Sequence, residues 1–187
     1  MIEGMNFSRA AAKLSGALQS LKVNFKDKIV LDIGASTGGF TQLALKMGAK
    51  KVIAVEKGTR QMRRELARDL RVELHEKQDI FKYQDQRQID IVLADVSFVS
   101  LRKILNYAKK EFQPSDYVVL LKPQFEAAPW QLEKGIVKNK RMRREIIFEF
   151  EQWLKRSKFK IIKSVDSGIA GRYGNVERIY WLKNIDA

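Results

Sequence analysis

The sequence predicts an α/β fold, with a mostly parallel sheet, helices on both of its faces and a closing antiparallel pair of strands. Short apolar runs, which are typical of buried strands, alternate with longer stretches of helical periodicity. These helical stretches are long enough to connect parallel strands across a face of the sheet. The last two strand-like runs have no helical stretch between them, which indicates an antiparallel pair.

Seven strand-like runs follow one another along the chain. They are 28–34 (KIVLDIG), 51–56 (KVIAVE), 71–76 (RVELHE), 89–96 (IDIVLADV), 117–121 (YVVLL), 160–167 (KIIKSVDS) and 176–183 (VERIYWLK). Most of the early runs are apolar almost throughout, as parallel strands buried on both faces are. We therefore predict a seven-stranded sheet.

Five segments have the spacing of a helix. They are 7–21 (FSRAAAKLSGALQSL), 40–48, 59–69, 101–112 and 141–156. Ser8 is a candidate N-cap for the first of them, and Gly48 ends the second. In the last segment Ile146, Ile147 and Phe150 fall on one face, which predicts a helix packed against the sheet.

The composition excludes several classes of site. A chain of 187 residues with 45% hydrophobic residues can form one domain with its own core. Cysteine is absent and His75 is the single histidine, which excludes disulfides, thiolate metal sites and histidine-cluster metal sites. No apolar run approaches the roughly 20 residues that span a bilayer. We expect a cytoplasmic protein that uses no metal.

The charge balance indicates a polyanionic partner. Lysine and arginine total 36 and aspartate and glutamate 22, which gives a net charge of +14. Basic residues concentrate in 60–71, 138–144 and 155–163, and 138–144 (KNKRMRR) contains no acid. Nucleic acid is the commonest partner of such a surface, and an anionic membrane is the alternative.

The loop 31–40 (LDIGASTGGF) joins the first strand to its helix and carries three glycines, Gly34, Gly38 and Gly39. Glycines at this place allow a tight turn and a close approach of the backbone to a ligand. Glu56 ends the second strand, where a carboxylate can accept hydrogen bonds from both hydroxyls of a ribose. The pattern therefore predicts a cofactor that contains adenosine.

Two further carboxylates belong to this end of the sheet. Asp79 follows the third strand and could reach an adenine amino group, and Asp32 could orient the glycine loop or meet a cationic ligand. NAD and S-adenosylmethionine both fit these residues. The loop differs from the dinucleotide pattern Gly-x-Gly-x-x-Gly, and S-adenosylmethionine has no pyrophosphate to bind, so we favour S-adenosylmethionine.

A lysine, Lys122, ends the buried strand of the stretch DYVVLLKPQFE. Asp95 ends the neighbouring strand, and ligands of open α/β sheets lie beyond the carboxyl ends of the strands. Glu177 begins the last strand and Lys13 lies on the opening helix. If that helix crosses the crevice, two lysines and two carboxylates converge there.

The stretches FSRAAAKL, LDIGASTGGFT, ADVSFVSL, LLKPQFE and GNVE resemble, in order, the motifs of the hemolysin A-type rRNA methyltransferases (the TlyA family). That family is similar to the FtsJ-type RNA 2′-O-methyltransferases. The resemblance implies a Rossmann-like methyltransferase fold, in a single domain over residues 1–187 without the RNA-binding module that usually precedes it in the family. It implies methylation of a ribose 2′-hydroxyl, with cytidine as the expected nucleotide and ribosomal RNA or ribosomal subunits as partners.

By position, the resemblance implies a catalytic tetrad of Lys13, Asp95, Lys122 and Glu177. The residues expected to bind S-adenosylmethionine are Asp32, Gly34, Ser36, Gly38, Gly39, Phe40, Glu56, Asp79, Ile80 and Asp95.

The chemistry of the expected reaction suits such a tetrad. A ribose 2′-hydroxyl is a weak acid, so a lysine can act as its base or as a cation that stabilises the developing alkoxide. Which of the two lysines is the base stays open. Trp130, in the loop after KPQFE, is a candidate for stacking on a flipped base.

Three alternatives differ in class from this methyltransferase. The first is a non-catalytic RNA-binding or ribosome-binding module with the same fold, which would not need an intact tetrad. The second is a membrane-active hemolysin, for which the sequence offers no spanning segment. The third is an NAD-dependent enzyme, which a cofactor titration would separate.

Overall fold

A computed structural model describes residues 21–168 and 174–185 of the chain, and the opening helix expected over 7–21 falls almost entirely outside them. Nine strands lie in the described residues. They are β1 (Ile29–Ile33), β2 (Lys51–Val55), β3 (Val72–His75), β4 (Ile91–Ala94), β5 (Asp116–Leu121), β6 (Leu132–Glu133), β7 (Ile136–Val137), β8 (Phe159–Asp166) and β9 (Arg178–Asn184).

Five α-helices connect them. They are α1 (Gly39–Lys46), α2 (Arg64–Ala67), α3 (Leu101–Glu111), α4 (Pro123–Glu126) and α5 (Lys140–Arg156). Two short 3-10 helices lie at Ile80–Lys82 and Pro129–Gln131.

Seven of the strands form one sheet in the order β3-β2-β1-β4-β5-β9-β8. Strands β1 to β5 are parallel, and β9 is antiparallel to both of its neighbours. The predicted fold class is therefore confirmed, including the closing antiparallel pair. Strand β9 inserts between β5 and β8, so the last strand along the chain is not at the edge of the sheet.

The sheet is buried on both faces, and β1 shows how alternate residues serve the two sides. Leu31 and Ile33 belong to the apolar layer that contains α3 and α5. Val30 belongs to the opposite layer, with α1 and residues 21–25. Because side chains alternate along a strand, Asp32 lies on the same side as Val30, facing α1.

Two local expectations differ from the structure. The charged helix expected over 59–69 shortens to the four residues of α2, because the segment has few apolar side chains to bury. The hairpin β6–β7 had no sequence signal, since each of its strands has only two residues.

Within residues 21–168 and 174–185, no helix has the length and the apolar content that crossing a membrane requires.

Candidate active site

The carboxyl ends of β1, β2, β4 and β5 lie at one edge of the sheet, because these strands are parallel. From β1 the chain moves outward to β3, and from β4 it moves outward in the opposite direction. After β1 and β4 the chain therefore continues in opposite directions, which leaves a crevice between the two loops. Such a switch point is where open α/β sheets bind their ligands.

A cavity of about 620 Å³ lies at this place. Its walls come from the loops after β1, β2, β3 and β4, together with the side chain of Ile104 from α3. Its polar side chains are Ser36, Glu56, Lys57, Gln61, Gln78, Asp79, Asp95 and Ser97. Its remaining lining is largely apolar, so the cavity can hold a ligand that has both a flat apolar part and hydroxyl groups.

Gly34 brings the loops after β1 and β4 close together. Its φ is +79°, and its N–H donates to the carbonyl oxygen of Val55 at 2.9 Å. A Cβ at this position would lie 3.1 Å from the carbonyl oxygen of Asp95 and 3.4 Å from Val96 Cγ1. Both the backbone angle and the space favour glycine, and a side chain here would push the two loops apart.

The carboxylate of Glu56 is held in place by backbone groups. Oε2 accepts from the N–H of Ser36 at 2.9 Å, and Oε1 accepts from the N–H of Gly58 at 2.6 Å. Each oxygen keeps further acceptor capacity. The carboxylate is thus a fixed acceptor pair in the cavity wall.

Asp79 caps the 3-10 helix Ile80–Lys82. Its Oδ1 accepts from the N–H of Phe81 at 3.1 Å, and its Oδ2 lies 3.2 Å from Lys57 Nζ. The backbone N–H of Phe81 is the main cause that lowers the pKa of this carboxyl, and Lys57 adds to it. Ile80 and Phe81, beside this carboxylate, supply an apolar part of the cavity wall.

Asp32 lies behind the glycine loop and does not line the cavity. It is fully buried, and its Oδ2 accepts from Thr41 Oγ1 at 2.6 Å. Burial raises the pKa of Asp32 to about 7, against the hydrogen bond from Thr41, and the negative charge of Asp95 raises it further. Gly38, Gly39 and Phe40 also lie outside the cavity lining.

The position of Gly38 has a packing reason. Its φ is +85°, and a Cβ there would lie 2.7 Å from Leu66 Cδ1. The side chain of Phe40 is buried in the core layer that contains α1. Of the ten residues expected at the cofactor, the cavity wall therefore contains six, which are Gly34, Ser36, Glu56, Asp79, Ile80 and Asp95.

Lys122 extends from the end of β5 toward the end of β4. Its Nζ lies 2.7 Å from Asp95 Oδ1 and donates to Ser97 Oγ at 2.9 Å. Only 12% of the lysine side chain and 17% of the aspartate side chain are exposed. Asp95 and Ser97 line the cavity, so Lys122 adjoins it through both of its partners.

Glu177 lies beside the same strand end. The pairing of β5 with β9 ends with Leu121 opposite Arg178, and Lys122 and Glu177 are the chain neighbours of this last pair. Glu177 is 3% exposed, and its carbonyl oxygen accepts from the N–H of Ser167 at 2.8 Å. Lys13, the fourth residue of the expected tetrad, lies outside the described residues.

Glu126 joins the two loops that carry Asp95 and Lys122. Its buried carboxylate accepts from Ser100 Oγ at 2.8 Å and from the N–H of Leu101 at 2.5 Å. Arg102 Nε lies 3.4 Å from Oε2. The last residue of KPQFE thus binds the N-terminus of α3, a role that the sequence did not indicate.

An exposed aromatic side chain at the cavity was also missed. Phe98 lines the cavity with 92% of its surface exposed, and its ring centroid lies 5.3 Å from that of Phe125. Its φ is +65°, which is costly for a bulky residue and is often found at functional sites. Trp130, expected to stack on a base, is 62% exposed but does not line the cavity.

Comparison with known proteins identifies the family. Residues 7–184 match the model of the FtsJ-like methyltransferases. The 23S rRNA (cytidine-2′-O)-methyltransferase TlyA of Campylobacter jejuni is 33% identical over 180 residues, which make up 95% of this chain and 71% of that protein. Hemolysin A of Brachyspira hyodysenteriae is 39% identical over 176 residues, or 91% of this chain and 73% of that protein.

A solved structure agrees with these relatives. The structure of a Streptococcus thermophilus protein described as a hemolysin matches with a TM-score of 0.92 and 33% identity, over 100% of this chain and 70% of that one. The resemblance of the motifs is therefore confirmed: the chain belongs to the FtsJ-like methyltransferase family, and its methyl donor is S-adenosylmethionine.

Proposed function

We propose that this protein methylates the 2′-hydroxyl of a ribose in ribosomal RNA, with cytidine as the target nucleotide. The observation that carries the proposal is the pair formed by Lys122 and Asp95 beside the cavity. A lysine held in a fixed position at the cavity can take the proton of a weakly acidic hydroxyl in its amine form, and its carboxylate partner then stabilises the ammonium that forms. The substrate class is that of the relative from Campylobacter jejuni, which is named for cytidine 2′-O-methylation of 23S rRNA.

The cavity residues fit S-adenosylmethionine. Glu56, fixed by two backbone N–H groups, would accept hydrogen bonds from the hydroxyls of its ribose. Ile80 and Phe81 would flank the adenine, with Asp79 near its amino group. The close approach of the loops at Gly34 would hold the remainder of the cofactor toward Asp95.

When bound, S-adenosylmethionine supplies an activated methyl group. The chain must then hold the 2′-hydroxyl in line with it and accept the proton of that hydroxyl. In our proposal Lys122 enters the step as the neutral amine, its own proton having passed to solvent. Its Nζ then accepts the proton of the hydroxyl as negative charge develops on the oxygen, and Asp95 stabilises the ammonium that results. Ser97 Oγ fixes the direction of Nζ, since a hydroxyl can accept from an ammonium and donate to an amine.

Glu177 and Lys13 complete the proposed tetrad. The register of β5 and β9 supports a position for Glu177 beside Lys122, where its carboxylate could bind a hydroxyl of the target ribose. In the proposal Lys13 also binds the target ribose. This role rests only on the resemblance of its motif. Positioning of this kind contributes to rate by removing the entropy of bringing two groups together.

The test is methyl transfer from labelled S-adenosylmethionine to small and large ribosomal subunits that lack modification, followed by nucleoside analysis. We expect the label in 2′-O-methylcytidine, and its loss with Lys122→Ala. Transfer to a base instead of a ribose would contradict the proposed reaction. Tight binding of S-adenosylmethionine and of RNA without any transfer would favour the non-catalytic binding module.

A further inference from the structure

A group of exposed cations lies on the hairpin β6–β7 and at the beginning of α5. Lys134, Lys138, Lys140 and Arg144 are exposed, and none makes a hydrogen bond or ion pair through its side chain with other described residues. We call these four residues the hairpin surface. The neighbouring cations differ, because Arg141 and Arg143 are paired.

Those two arginines serve the fold. Arg141 Nε lies 2.9 Å from Glu145 Oε1, and an Arg143 Nη nitrogen lies 2.7 Å from Asp166 Oδ1. Glu133, directly before the turn of the hairpin, is an exposed acid of the same region. The hairpin surface is thus the part of this basic run whose charge is not used within the described structure.

The charge of this surface opposes the stability of α5. The first turn of α5 contains no acid, while Lys140 and Arg141 are its first two residues. The N-terminus of a helix carries partial positive charge, so acids stabilise it and cations destabilise it. Folding alone therefore does not account for Lys140, whereas an anionic partner does.

The hairpin surface adjoins the active site. A cleft of about 200 Å³ is lined by Pro123, by Val137 of β7, by Lys140 and by Val176. Pro123 directly follows Lys122, and Val176 directly precedes Glu177. The cleft thus connects the proposed catalytic residues to the exposed cations.

A buried asparagine holds the hairpin in this place. Asn175 is 5% exposed, its Oδ1 accepts from the N–H of Val137 at 3.0 Å, and its Nδ2 donates to the carbonyl oxygen of Gly135 at 3.1 Å. The hairpin is therefore fixed to the segment that leads into Glu177. Its cations have a defined position relative to the proposed catalytic residues.

We infer that the hairpin surface binds the phosphates of the RNA strand next to the target nucleotide. This inference rests on the proposed function, and it specifies where on the protein the substrate strand runs. Lysine and arginine side chains that neutralise phosphates position a strand without reading its sequence. The cleft leads from these phosphates to the ribose beside Lys122.

An anionic membrane fits this surface less well. Helices that bind membranes present an apolar face to the lipid. The apolar face of α5, with Ile146, Phe150 and Leu154, is buried against the sheet. The four residues of the hairpin surface are all cations, and the exposed apolar side chains that lie near them in sequence, Trp130, Ile136 and Phe148, belong to three different elements.

The test compares two triple variants with the same loss of charge. The first is Lys138→Ala with Lys140→Ala and Arg144→Ala. The matched control is Arg60→Ala with Arg64→Ala and Arg68→Ala, three exposed cations of another basic run. Affinity for a fluorescent single-stranded RNA of twenty nucleotides, and for unmodified ribosomal subunits, is measured at several salt concentrations, together with affinity for S-adenosylmethionine.

We expect the hairpin variant to bind RNA at least tenfold more weakly while it binds S-adenosylmethionine as the wild type does. Each lost phosphate contact to a single strand removes about 0.7 from the slope of log affinity against log salt, so the slope should fall by about 2. The control variant should keep most of its RNA affinity and most of its salt slope. An equal loss in both variants, or an unchanged slope in the hairpin variant, would overturn the inference.

A single variant separates RNA binding from folding. Lys140→Glu places an acid in the first turn of α5, so the melting temperature should rise or stay the same while RNA affinity falls. A lower melting temperature, or an unchanged RNA affinity, would contradict our assignment of Lys140.

Two further outcomes separate the inference from the proposed function. If the wild type transfers methyl groups, and the hairpin variant binds RNA and methylates it equally well, the phosphate site is wrong and the proposed methylation is supported. If the hairpin variant loses RNA affinity but the wild type transfers no methyl group, RNA binding at the hairpin surface is supported and the proposed methylation is wrong. Loss of binding to phosphatidylglycerol vesicles with unchanged RNA affinity would assign the surface to a membrane instead.

Discussion

Lys122 illustrates how much of the site depends on one side chain. Its Nζ has two fixed neighbours, Asp95 and Ser97, and its stem crosses from β5 toward the cavity. A lysine with this little freedom loses little entropy when a substrate hydroxyl approaches it.

We predict that Lys122→Met lowers the rate of methyl transfer by about 10²-fold to 10⁴-fold, the usual contribution of a positioned proton acceptor. The affinity for S-adenosylmethionine should change little, since Lys122 does not line the cavity. Single-turnover kinetics and cofactor titration measure the two quantities. Lys103→Met, at an exposed position of α3, is the matched control. A variant of Lys122 with an undiminished rate would exclude it as the proton acceptor.

The burial of Asp32 predicts how the free energy of unfolding depends on pH. Burial raises its pKa from the ordinary 3.8 to about 7, so the folded state holds a proton between these values that the unfolded state has lost. The free energy of unfolding should therefore decrease as pH rises from 4 to 7. At about 1.4 kcal/mol for each pKa unit, the full effect is roughly 4 kcal/mol.

Asp32→Asn should remove this dependence, and asparagine can still accept from Thr41. Urea unfolding at pH 5 and pH 8 measures the effect. The variant should gain stability relative to the wild type at pH 8 and gain less at pH 5. A difference that is the same at both pH values would show that Asp32 titrates at its ordinary pKa in the folded protein.

Phe98 and Trp130 are the two candidates for stacking on a base of the RNA. Because stacking on an aromatic side chain is worth about 1–3 kcal/mol, Phe98→Ala should raise the KM for RNA roughly tenfold to a hundredfold. The melting temperature should not change, because 92% of the side chain is exposed. We expect a smaller effect from Trp130→Ala, since Trp130 does not line the cavity. A larger effect at Trp130 would reassign the role.

At the scale of elements, the site depends on how α3 and α4 are joined. The carboxylate of Glu126, at the end of α4, binds the first N–H of α3 and the hydroxyl of Ser100. A carboxylate at this place also interacts favourably with the dipole of α3. The loop 95–100, with Asp95 and Ser97, is therefore fixed at the end where it meets α3.

Glu126→Gln should weaken this connection, because glutamine has one acceptor oxygen and no charge. Hydrogen bonds to charged groups are worth about 1.5–3 kcal/mol, and we expect a loss of unfolding free energy near the low end of that range. The rate of methyl transfer should fall several-fold as Asp95 and Ser97 gain freedom. Glu149→Gln, the same change at an exposed position of α5, should affect neither. Lost stability with an unchanged rate would restrict Glu126 to a structural role.

The elements also show where sequence reasoning was sufficient. Strands β1, β2, β4 and β5 could be predicted because they are buried on both faces, and burial on both faces produces an uninterrupted apolar run. Helix α5 could be predicted from the spacing of its buried residues. The charged segment before β3 kept only a four-residue helix, because propensity alone does not maintain an exposed helix.

The candidate site was partly predictable for a related reason. Residues at strand ends, such as Asp95, Lys122 and Glu56, have positions that the order of the strands determines. The contacts of Glu126 and the exposure of Phe98 depend on the path of loops, which has no periodic signal in the sequence. Gly38 shows the limit of a motif, since its missing side chain makes room for Leu66 outside the cavity wall.

For the whole molecule, the cofactor should act as a stabilising ligand. A ligand at a hundredfold excess over its Kd stabilises the folded state by about 2.7 kcal/mol. For a chain of this size, that raises the melting temperature by about 5–10 °C. We expect this shift with S-adenosylmethionine and none with NAD, by thermal unfolding at matched concentrations. A rise in melting temperature with NAD alone would favour the alternative of an NAD-dependent enzyme.

The insertion of β9 between β5 and β8 has a consequence for the biosynthesis of the protein. Strand β8 leaves the ribosome before β9, yet within residues 21–168 and 174–185 the one strand that it pairs with is β9. Until β9 is synthesised, the edge of β5 stays open and β8 has no native strand to pair with. Glu177 directly precedes β9, so its segment takes its place beside the end of β5 in the same step. The protein therefore completes its sheet and the Glu177 side of its proposed active site together, once β9 has been synthesised.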